Sequence, residues 1–207
     1  MPRKALFSKE EITGKAFELV RQKGIEALTA RDLGTALGSS SRPIFTVFEN
    51  MDAVKAEVRN AARAFYDNYM ADVTDYVPAF KEYGRRLITF AKNEKNLFRL
   101  LFLDKEAEIG RIDAVARICV DAMKTDYGLN EEQGLTLLNH CWTFTCGIAV
   151  QTMTEAVNYT DDQINEMLGF QFISTLYFIK TGMQYFENVA PKHRNENNEN
   201  ITLKVNF

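Results

Sequence analysis

A short polar run, SSSR at positions 39–42, carries the side chains best suited to binding chemistry in this chain. Hydroxyls such as those of Ser40 and Ser41 bind phosphate oxygens, whereas the guanidinium of Arg42 has the fork geometry that pairs with the O6 and N7 acceptors of guanine. Pro43 follows and favours the first turn of a helix, whose free amides also attract phosphate. The run therefore predicts a contact with double-stranded DNA.

Two short predicted helices hold this run in place. Thr29 and Asp32 have the spacing of an N-terminal cap, and an apolar face follows as far as Gly38. A glycine there allows a tight reversal of the chain, after which a second helix is expected to end near Phe48. A longer helix, Ser8 to Lys23, precedes them. This order is that of a helix-turn-helix, in which the first short helix braces the second.

Residues 8–58 resemble the DNA-binding region of the TetR family of bacterial regulators. The positions that match the family's pattern are Thr29, Gly38, Ser40, Pro43, Ile44, Phe45, Phe48 and Asp52. The resemblance implies a homodimer that presents two recognition helices to a pseudo-palindromic operator, and a C-terminal region that binds a small-molecule effector. It implies a repressor that leaves its operator when the ligand binds. A regulator that the ligand activates is left open as an alternative.

The resemblance also indicates which residues meet DNA. The expected contacts are Thr29, Ser40, Ser41, Arg42, Pro43, Phe45, Thr46 and Lys55. Two positions depart from the family's pattern, because Val47 and Met51 stand where the family often has phosphate donors, and neither side chain can donate a hydrogen bond. Arg42 replaces a usual glycine. The expected backbone contacts then move to Arg42, Thr46, Lys55, Arg3 and Lys4.

Helical periodicity continues through the rest of the chain. A connecting helix capped by Asp52 is expected from Ala53 to about Asp75. Further helices are expected at residues 79–93, 94–103, 111–127, 131–156 and 161–187, about nine in total. The sequence predicts an all-α fold with three parts: a DNA-binding domain (1–50), an effector-binding and dimerisation domain (51–190), and a polar, flexible tail (191–207).

Aromatic and sulfur-containing side chains of the C-terminal region suit an apolar or aromatic effector. Asn139 and Thr143 lie four residues apart on an otherwise apolar helix, where a buried polar group needs a partner. The predicted effector pocket comprises Phe98, Phe102, Cys119, Met123, Asn139, Trp142 and Thr143. The alternative for each of these residues is a place in the hydrophobic core.

The last two predicted helices are apolar around most of their circumference, and a single chain buries such helices poorly at its edge. Packing against the same two helices of a second chain, in a four-helix bundle, would cover them. The predicted dimer interface comprises Gly147, Phe172, Ile173, Leu176 and Met183.

Charge and cysteine content narrow the function classes. The 207-residue chain has a net charge of −3, but residues 1–50 hold eight basic and six acidic side chains, which suits DNA contact at one end. The three cysteines cannot all pair and lack zinc-ligand spacing, so neither metal nor cofactor is expected. Without a membrane-length apolar run or a signal-peptide core, a cytoplasmic protein with no membrane contact is predicted.

Two other function classes are alternatives to a regulator. An enzyme is disfavoured because GxSxG, HExxH, GxGxxG and the phosphate-binding loop are all missing, and because the chain has only two histidines. The alternative is a helical adaptor that keeps the fold but has lost specific DNA binding, which the side chains of Val47 and Met51 make reasonable.

Overall fold

Helices make up nearly all of the fold in the computed structural model, which describes residues 6–75, 78–105, 107, 114–182, 193–194 and 200–201. The eight α-helices in these ranges are α1 Lys9–Lys23, α2 Ala30–Ala36, α3 Met51–Met70, α4 Ala79–Asn93, α5 Lys95–Phe98, α6 Ala114–Tyr127, α7 Glu131–Met153 and α8 Asp161–Thr181. Connecting turns are 3-10 at Ile25–Ala27, Ile44–Thr46 and Val73–Asp75, and π-helical at Arg99–Leu103. A two-residue antiparallel pairing joins β1 (His193–Arg194) to β2 (Asn200–Ile201). The predicted all-α class is confirmed.

Side-chain caps determine where several helices begin. At α1, the Glu11 N–H donates to Ser8 Oγ at 3.1 Å, and the Ser8 N–H donates to Glu11 Oε2 at 2.7 Å, a reciprocal capping box. Asn130 and Thr160 start α7 and α8 in the same reciprocal way. The connecting helix α3 is capped by Asn50 rather than by the predicted Asp52, so it begins two residues earlier.

The predicted third helix is shorter than the sequence indicated. Only a 3-10 turn, Ile44–Thr46, forms in the segment that was expected to be helical as far as Phe48. The β-branched residues Ile44, Thr46 and Val47 lose side-chain freedom in an α-helix, which disfavours a longer helix here. The Thr46 hydroxyl instead donates to the Pro43 carbonyl at 2.6 Å.

The segment predicted as one helix from 94 to 103 is divided. After α5 the chain widens into the π-helical turn, where the Asp104 N–H donates to the Arg99 carbonyl at 2.9 Å. Leu97, Leu100 and Leu101 are all buried. These three leucines stand at helical spacing, so they share one face that packs into the core.

Helix α3 joins the N-terminal helices to the rest of the molecule. It contacts α1 along one part of its length and the π-helical turn along another, and Arg59 Nη1 donates to Asp104 Oδ2 at 3.0 Å. Its buried stripe consists of Val54, Val58, Ala62, Tyr66 and Met70. Because α3 packs with elements on both sides of it, the predicted division at residue 50 stays a prediction. Most of the predicted tail lies outside the described residues.

Helix α4 forms the centre of the C-terminal bundle. It contacts α6, α7 and α8, and α7 in turn packs against both α6 and α8. Its inward face buries Tyr83, Leu87, Ile88, Phe90 and Ala91. None of the helices in the described ranges has the length and apolarity needed to cross a lipid bilayer.

An acidic side chain links α6 to α7. Glu131, in the first turn of α7, pairs with Lys124 and Arg117 of α6. The hydrogen bond from Lys124, followed by that from Arg117, holds the pKa of the Glu131 carboxyl below its ordinary value of 4.5. This ion pair is exposed, and it helps to fix α6 relative to α7.

We expect Glu131→Gln to be less stable than the wild type at neutral pH, with the difference vanishing in acid. A lowered folded-state pKa adds stability that is present above 4.5 and is lost as the pH falls through the folded-state value. Urea unfolding followed by circular dichroism, in steps below pH 4.5, measures the change. Glu132→Gln, one residue further along α7, is the control. A wild-type advantage that persists in strong acid would contradict this account.

Candidate nucleic-acid surface and apolar cavity

Gly34 has no side chain, and this allows α2 to pack directly on the turn that follows it. A Cβ built at Gly34 would lie 2.9 Å from the carbonyl carbon of Ser40 and the amide nitrogen of Ser41. Gly38 reverses the chain with a φ of +67°, and the Ser39 N–H donates to the Gly34 carbonyl at 2.9 Å. The backbone of this turn is therefore held tightly against α2. The sequence reasoning identified Gly38 but missed Gly34, whose only signal was a glycine inside a predicted helix.

The residues after this turn present a small exposed surface. This surface, called the tip surface below, consists of Ser40, Arg42, Phe45 and Thr46. Phe45 is 46% exposed, an unusual position for a phenylalanine. In the part of the chain that the structure describes, Arg42 forms no ion pair. Ser41 and Pro43 are half-buried beside the tip surface.

Two other predicted DNA contacts already have protein partners. The Thr29 hydroxyl accepts the Asp32 N–H at 3.1 Å and donates to Asp32 Oδ2 at 2.6 Å, so it serves mainly to cap α2. Lys55 Nζ lies 3.8 Å from Asp52 Oδ1, with 38% of its side chain exposed. Such a loose surface pair leaves the ammonium available to another anion.

Val47 and Met51, the two residues that depart from the TetR pattern, have a structural role. Val47 and Met51 are half-buried and pack against the hydrophobic core, so they support the tip surface from behind. Two acidic residues, Glu49 and Asp52, are exposed close by in the chain. The N-terminal Arg3 and Lys4 lie outside the described residues. Near the tip surface in the chain, Arg31 and Arg42 are exposed cations and Lys55 is half-buried.

A two-pronged ion pair connects α1 to the C-terminal bundle. Arg21 Nε and Nη2 donate to the two carboxylate oxygens of Glu94 at 2.8 and 2.5 Å, and this hydrogen bonding raises the pKa of Arg21. Asn96 Nδ2 donates to the Arg21 carbonyl at 3.0 Å. The guanidinium also lies 5.0 Å from the ring centre of Phe65. Because Glu94 ends α4, the pair ties α1 to that end of the helix.

The other end of α4 borders an apolar cavity of about 480 Å³. Its walls come from the first turns of α4, from α6, from Thr145 of α7 and from α8. Phe172 lies between Phe80 and Tyr127, with ring centres 5.4 Å apart in both pairs. Such a volume lies in the range of pockets that hold small organic molecules.

The predicted effector pocket is only partly brought together. Cys119 and Met123 line the cavity. Phe98 is fully buried and, with Phe102, belongs to an aromatic group in the core that includes Tyr66, where the Phe98 and Phe102 ring centres are 5.1 Å apart. The remaining residues stay apart from the cavity: Trp142 packs 6.4 Å from Phe102, and Asn139 and Thr143 are exposed on α7.

Residues predicted for the dimer interface fall in two places. Phe172, Ile173 and Leu176 line the cavity, and Ile173 is at the same time 67% exposed. Gly147 is exposed, with open space where a Cβ would stand. Met183 lies outside the described residues. Two further side chains of α8, Phe170 and Tyr177, are 75% and 53% exposed, so this helix leaves a broad apolar face uncovered in the single chain.

The cysteines offer little reactivity. Burial raises the pKa of Cys141 to about 12 and that of Cys146 to about 11, which keeps both thiols protonated at neutral pH. Cys119 is buried as well, and its sulfur is not part of a disulfide with another described cysteine. In the described ranges, no three His, Cys, Asp or Glu side chains come together as a metal site.

We expect Gly34→Ala to lower the free energy of unfolding by about 1 to 3 kcal/mol, because the new methyl group forces the backbone of Ser40 and Ser41 away. The control is Gly14→Ala, at an exposed site of α1 with open space around it, which should gain up to about 1 kcal/mol. Urea unfolding measures both variants. Equal effects of the two substitutions would refute the close packing at Gly34.

Loss of the tie between α1 and α4 should also be measurable. We expect Arg21→Gln to cost about 1 to 3 kcal/mol, since it leaves the largely buried Glu94 carboxylate without its charged donor. The matched control is Lys9→Gln, which breaks the more exposed pair with Glu57 and should cost less than about 1 kcal/mol. If the double variant Arg21→Gln/Glu94→Gln loses the sum of the two single effects, the groups are not coupled.

Comparison with family models and with curated proteins gave no match. No family model matches the chain, and no curated protein matches it either. A function is therefore inferred from three features of the molecule: the tip surface, the tie between Arg21 and Glu94, and the apolar cavity that α4 borders.

Proposed function

We propose that this protein is a homodimeric, sequence-specific DNA-binding regulator of transcription that responds to a small molecule. The helix-turn-helix consists of α2, the turn after it and the short element Ile44–Thr46. Its proposed mode is repression that the ligand relieves, as the resemblance to the TetR family implies. Such a protein works in the cytoplasm, where bacterial DNA lies.

The tip surface is the observation that carries this proposal. A rigid turn supports exposed hydroxyl, guanidinium and aromatic groups, without an acidic partner for Arg42 in the described residues. Arg42 is the side chain assigned to a guanine edge, and Ser40 is assigned to a phosphate. The Thr46 hydroxyl donates to the Pro43 carbonyl, so Thr46 is assigned to a base donor through its oxygen lone pairs. The packing of Gly34 supports the proposal, since groups that read DNA must be held with little freedom.

Helix α4 supplies a route between ligand and DNA. It begins at the cavity and ends at Glu94, which holds Arg21 of the N-terminal region. A ligand that alters the position of α4 therefore acts on α1 through a direct ion pair. The ligand changes DNA affinity only by its difference in affinity for the two positions, typically about 1 to 3 kcal/mol.

Two DNA half-sites require two recognition elements, and the exposed face of α8 supports a dimer. Phe170, Ile173 and Tyr177 are too exposed and too apolar for a face that stays in water. Pairing of this face and α7 with the same elements of a second chain would form a four-helix bundle and cover these side chains.

One observation favours a second function, that of an adaptor protein. Val47 and Met51 pack inward and offer no hydrogen bond to phosphate, and the exposed Glu49 and Asp52 would repel DNA. An adaptor would use Phe45, at the centre of the tip surface, as an anchor for a protein partner. DNA selection distinguishes the two functions.

We expect selection from a randomised duplex pool to enrich an inverted repeat. Arg42→Ala should weaken binding to that repeat by about 1 to 3 kcal/mol and relax the preference at one base position of each half-site. The measurement is sequencing of the bound DNA, followed by titration of the enriched duplex. Arg99→Ala, which removes an exposed cation of the π-helical turn, is the control and should leave affinity and preference unchanged.

The oligomeric state is measured in the same preparation. A stable dimer that enriches no repeat would overturn DNA recognition in favour of the adaptor. An enriched repeat that Arg42→Ala still binds with the same preference would leave a regulator in place but would reject Arg42 as the residue that reads a base.

A further inference from the structure

The interior of the cavity restricts the chemistry of its occupant. Cys119, Met123 and Leu168 form much of the deep wall, and the rings of Phe80 and Phe172 form one edge. Nothing in this interior offers a charge. An ion placed there would lose its hydration without a compensating partner, which costs far more than apolar contacts return.

A buried polar side chain lines the cavity beside its apolar walls. Thr145 is only 3% exposed, and it belongs to the cavity lining. Its hydroxyl hydrogen is already used, because Thr145 Oγ1 donates to the Cys141 carbonyl at 2.7 Å. The lone pairs of the oxygen remain, so the threonine can serve the cavity as an acceptor. A ligand group that satisfies Oγ1 must therefore be a hydrogen-bond donor.

Two charged residues border the cavity, and they carry opposite signs. Lys81 is half-buried and Asp126 is exposed, and neither forms an ion pair with another described residue. A ligand anion attracted by Lys81 would be repelled by Asp126, and the reverse holds for a cation. The border therefore gives no net preference for a charged ligand.

We propose that the cavity binds a neutral, largely apolar, ring-containing molecule with one hydrogen-bond donor directed at Thr145 Oγ1. Rings match the walls formed by Phe80, Tyr127 and Phe172, and about 480 Å³ admits a molecule of two or three rings. Nucleotides, sugar phosphates and free amino acids do not fit these walls. The role of this molecule as an effector rests on the proposed regulatory function, whereas its binding does not.

Fluorescent probes that differ in one group test this chemistry on the full chain. Phenylnaphthylamine is neutral and has a single N–H donor, its N-methyl derivative lacks the donor, and anilinonaphthalene sulfonate adds an anionic group. Each probe becomes brighter in apolar surroundings, so titration gives its Kd. We expect phenylnaphthylamine to bind at least about tenfold more tightly than the sulfonate, because the cavity has no partner for the charge.

Two pairs of variants locate the probe. Gly169→Leu places a side chain in the open space of the cavity wall, and it should weaken phenylnaphthylamine binding more than about tenfold. Gly14→Leu, at an exposed helical glycine with equally open surroundings, is its control. Thr145→Val removes the acceptor at nearly constant volume and should weaken phenylnaphthylamine about three- to tenfold, with the N-methyl derivative unaffected.

The control for Thr145→Val is Thr125→Val on α6. Its hydroxyl makes the same kind of bond, to the Asp121 carbonyl at 3.0 Å, but it is exposed and does not line the cavity. Circular dichroism establishes that each variant is folded. Binding that survives Gly169→Leu would place the probe elsewhere, and equal weakening of both probes by Thr145→Val would refute the donor. Tighter binding of the sulfonate would refute a neutral ligand.

These outcomes are separate from those of the DNA selection, which needs no ligand. Failed probe binding together with an enriched repeat would overturn the ligand chemistry alone. Probe binding as expected, without any enriched repeat, would leave the cavity a genuine ligand site in a protein that does not read DNA.

Discussion

The buried stripe of α3 is the contact on which the positions of the other elements depend. Val54, Val58, Ala62, Tyr66 and Met70 recur every four residues, and none is more than 1% exposed. Burial of each larger apolar side chain contributes about 1.5 to 3 kcal/mol. Because the same helix contacts α1 and the π-helical turn, the N-terminal helices and the C-terminal bundle share one continuous core. Relative movement of the two regions must therefore occur by shifts of packed helices, and not through a loose linker.

Features that depend on a few neighbouring residues could be predicted from the sequence. The caps at Ser8, Thr29, Asn130 and Thr160 involve residues three apart, so their spacing alone marks the start of a helix. The short element Ile44–Thr46 was harder to predict, because the β-branched residues that disfavour a longer helix stand within an otherwise helical periodicity. Gly34 was missed for a similar reason: the backbone that approaches it belongs to the next turn.

The cavity could be predicted only in part, because its walls belong to four helices. Periodicity identifies the apolar side of each helix, as it did for Cys119 and Met123, but it does not say which helix lies opposite. Phe172 and Leu176, which the sequence predicts for a dimer interface, line the cavity, and their place in an interface stays a prediction. Asn139 and Thr143 share a face of α7, but that face points outward, where water satisfies them. Long-range packing decides which helices face each other, and no short pattern in a single sequence reveals that packing.

Because α4 begins at the cavity and ends at Glu94, a tilt of the helix at one end moves the other end. Its 15 residues span about 22 Å, so a tilt of about 5° at the cavity end displaces the far end by about 2 Å. A hydrogen bond tolerates only a few tenths of an ångström before it weakens. A tilt of this size would therefore require the Glu94 and Arg21 side chains to adopt new rotamers, to separate, or to move α1 with them. The pair thereby makes the position of α1 depend on that of α4.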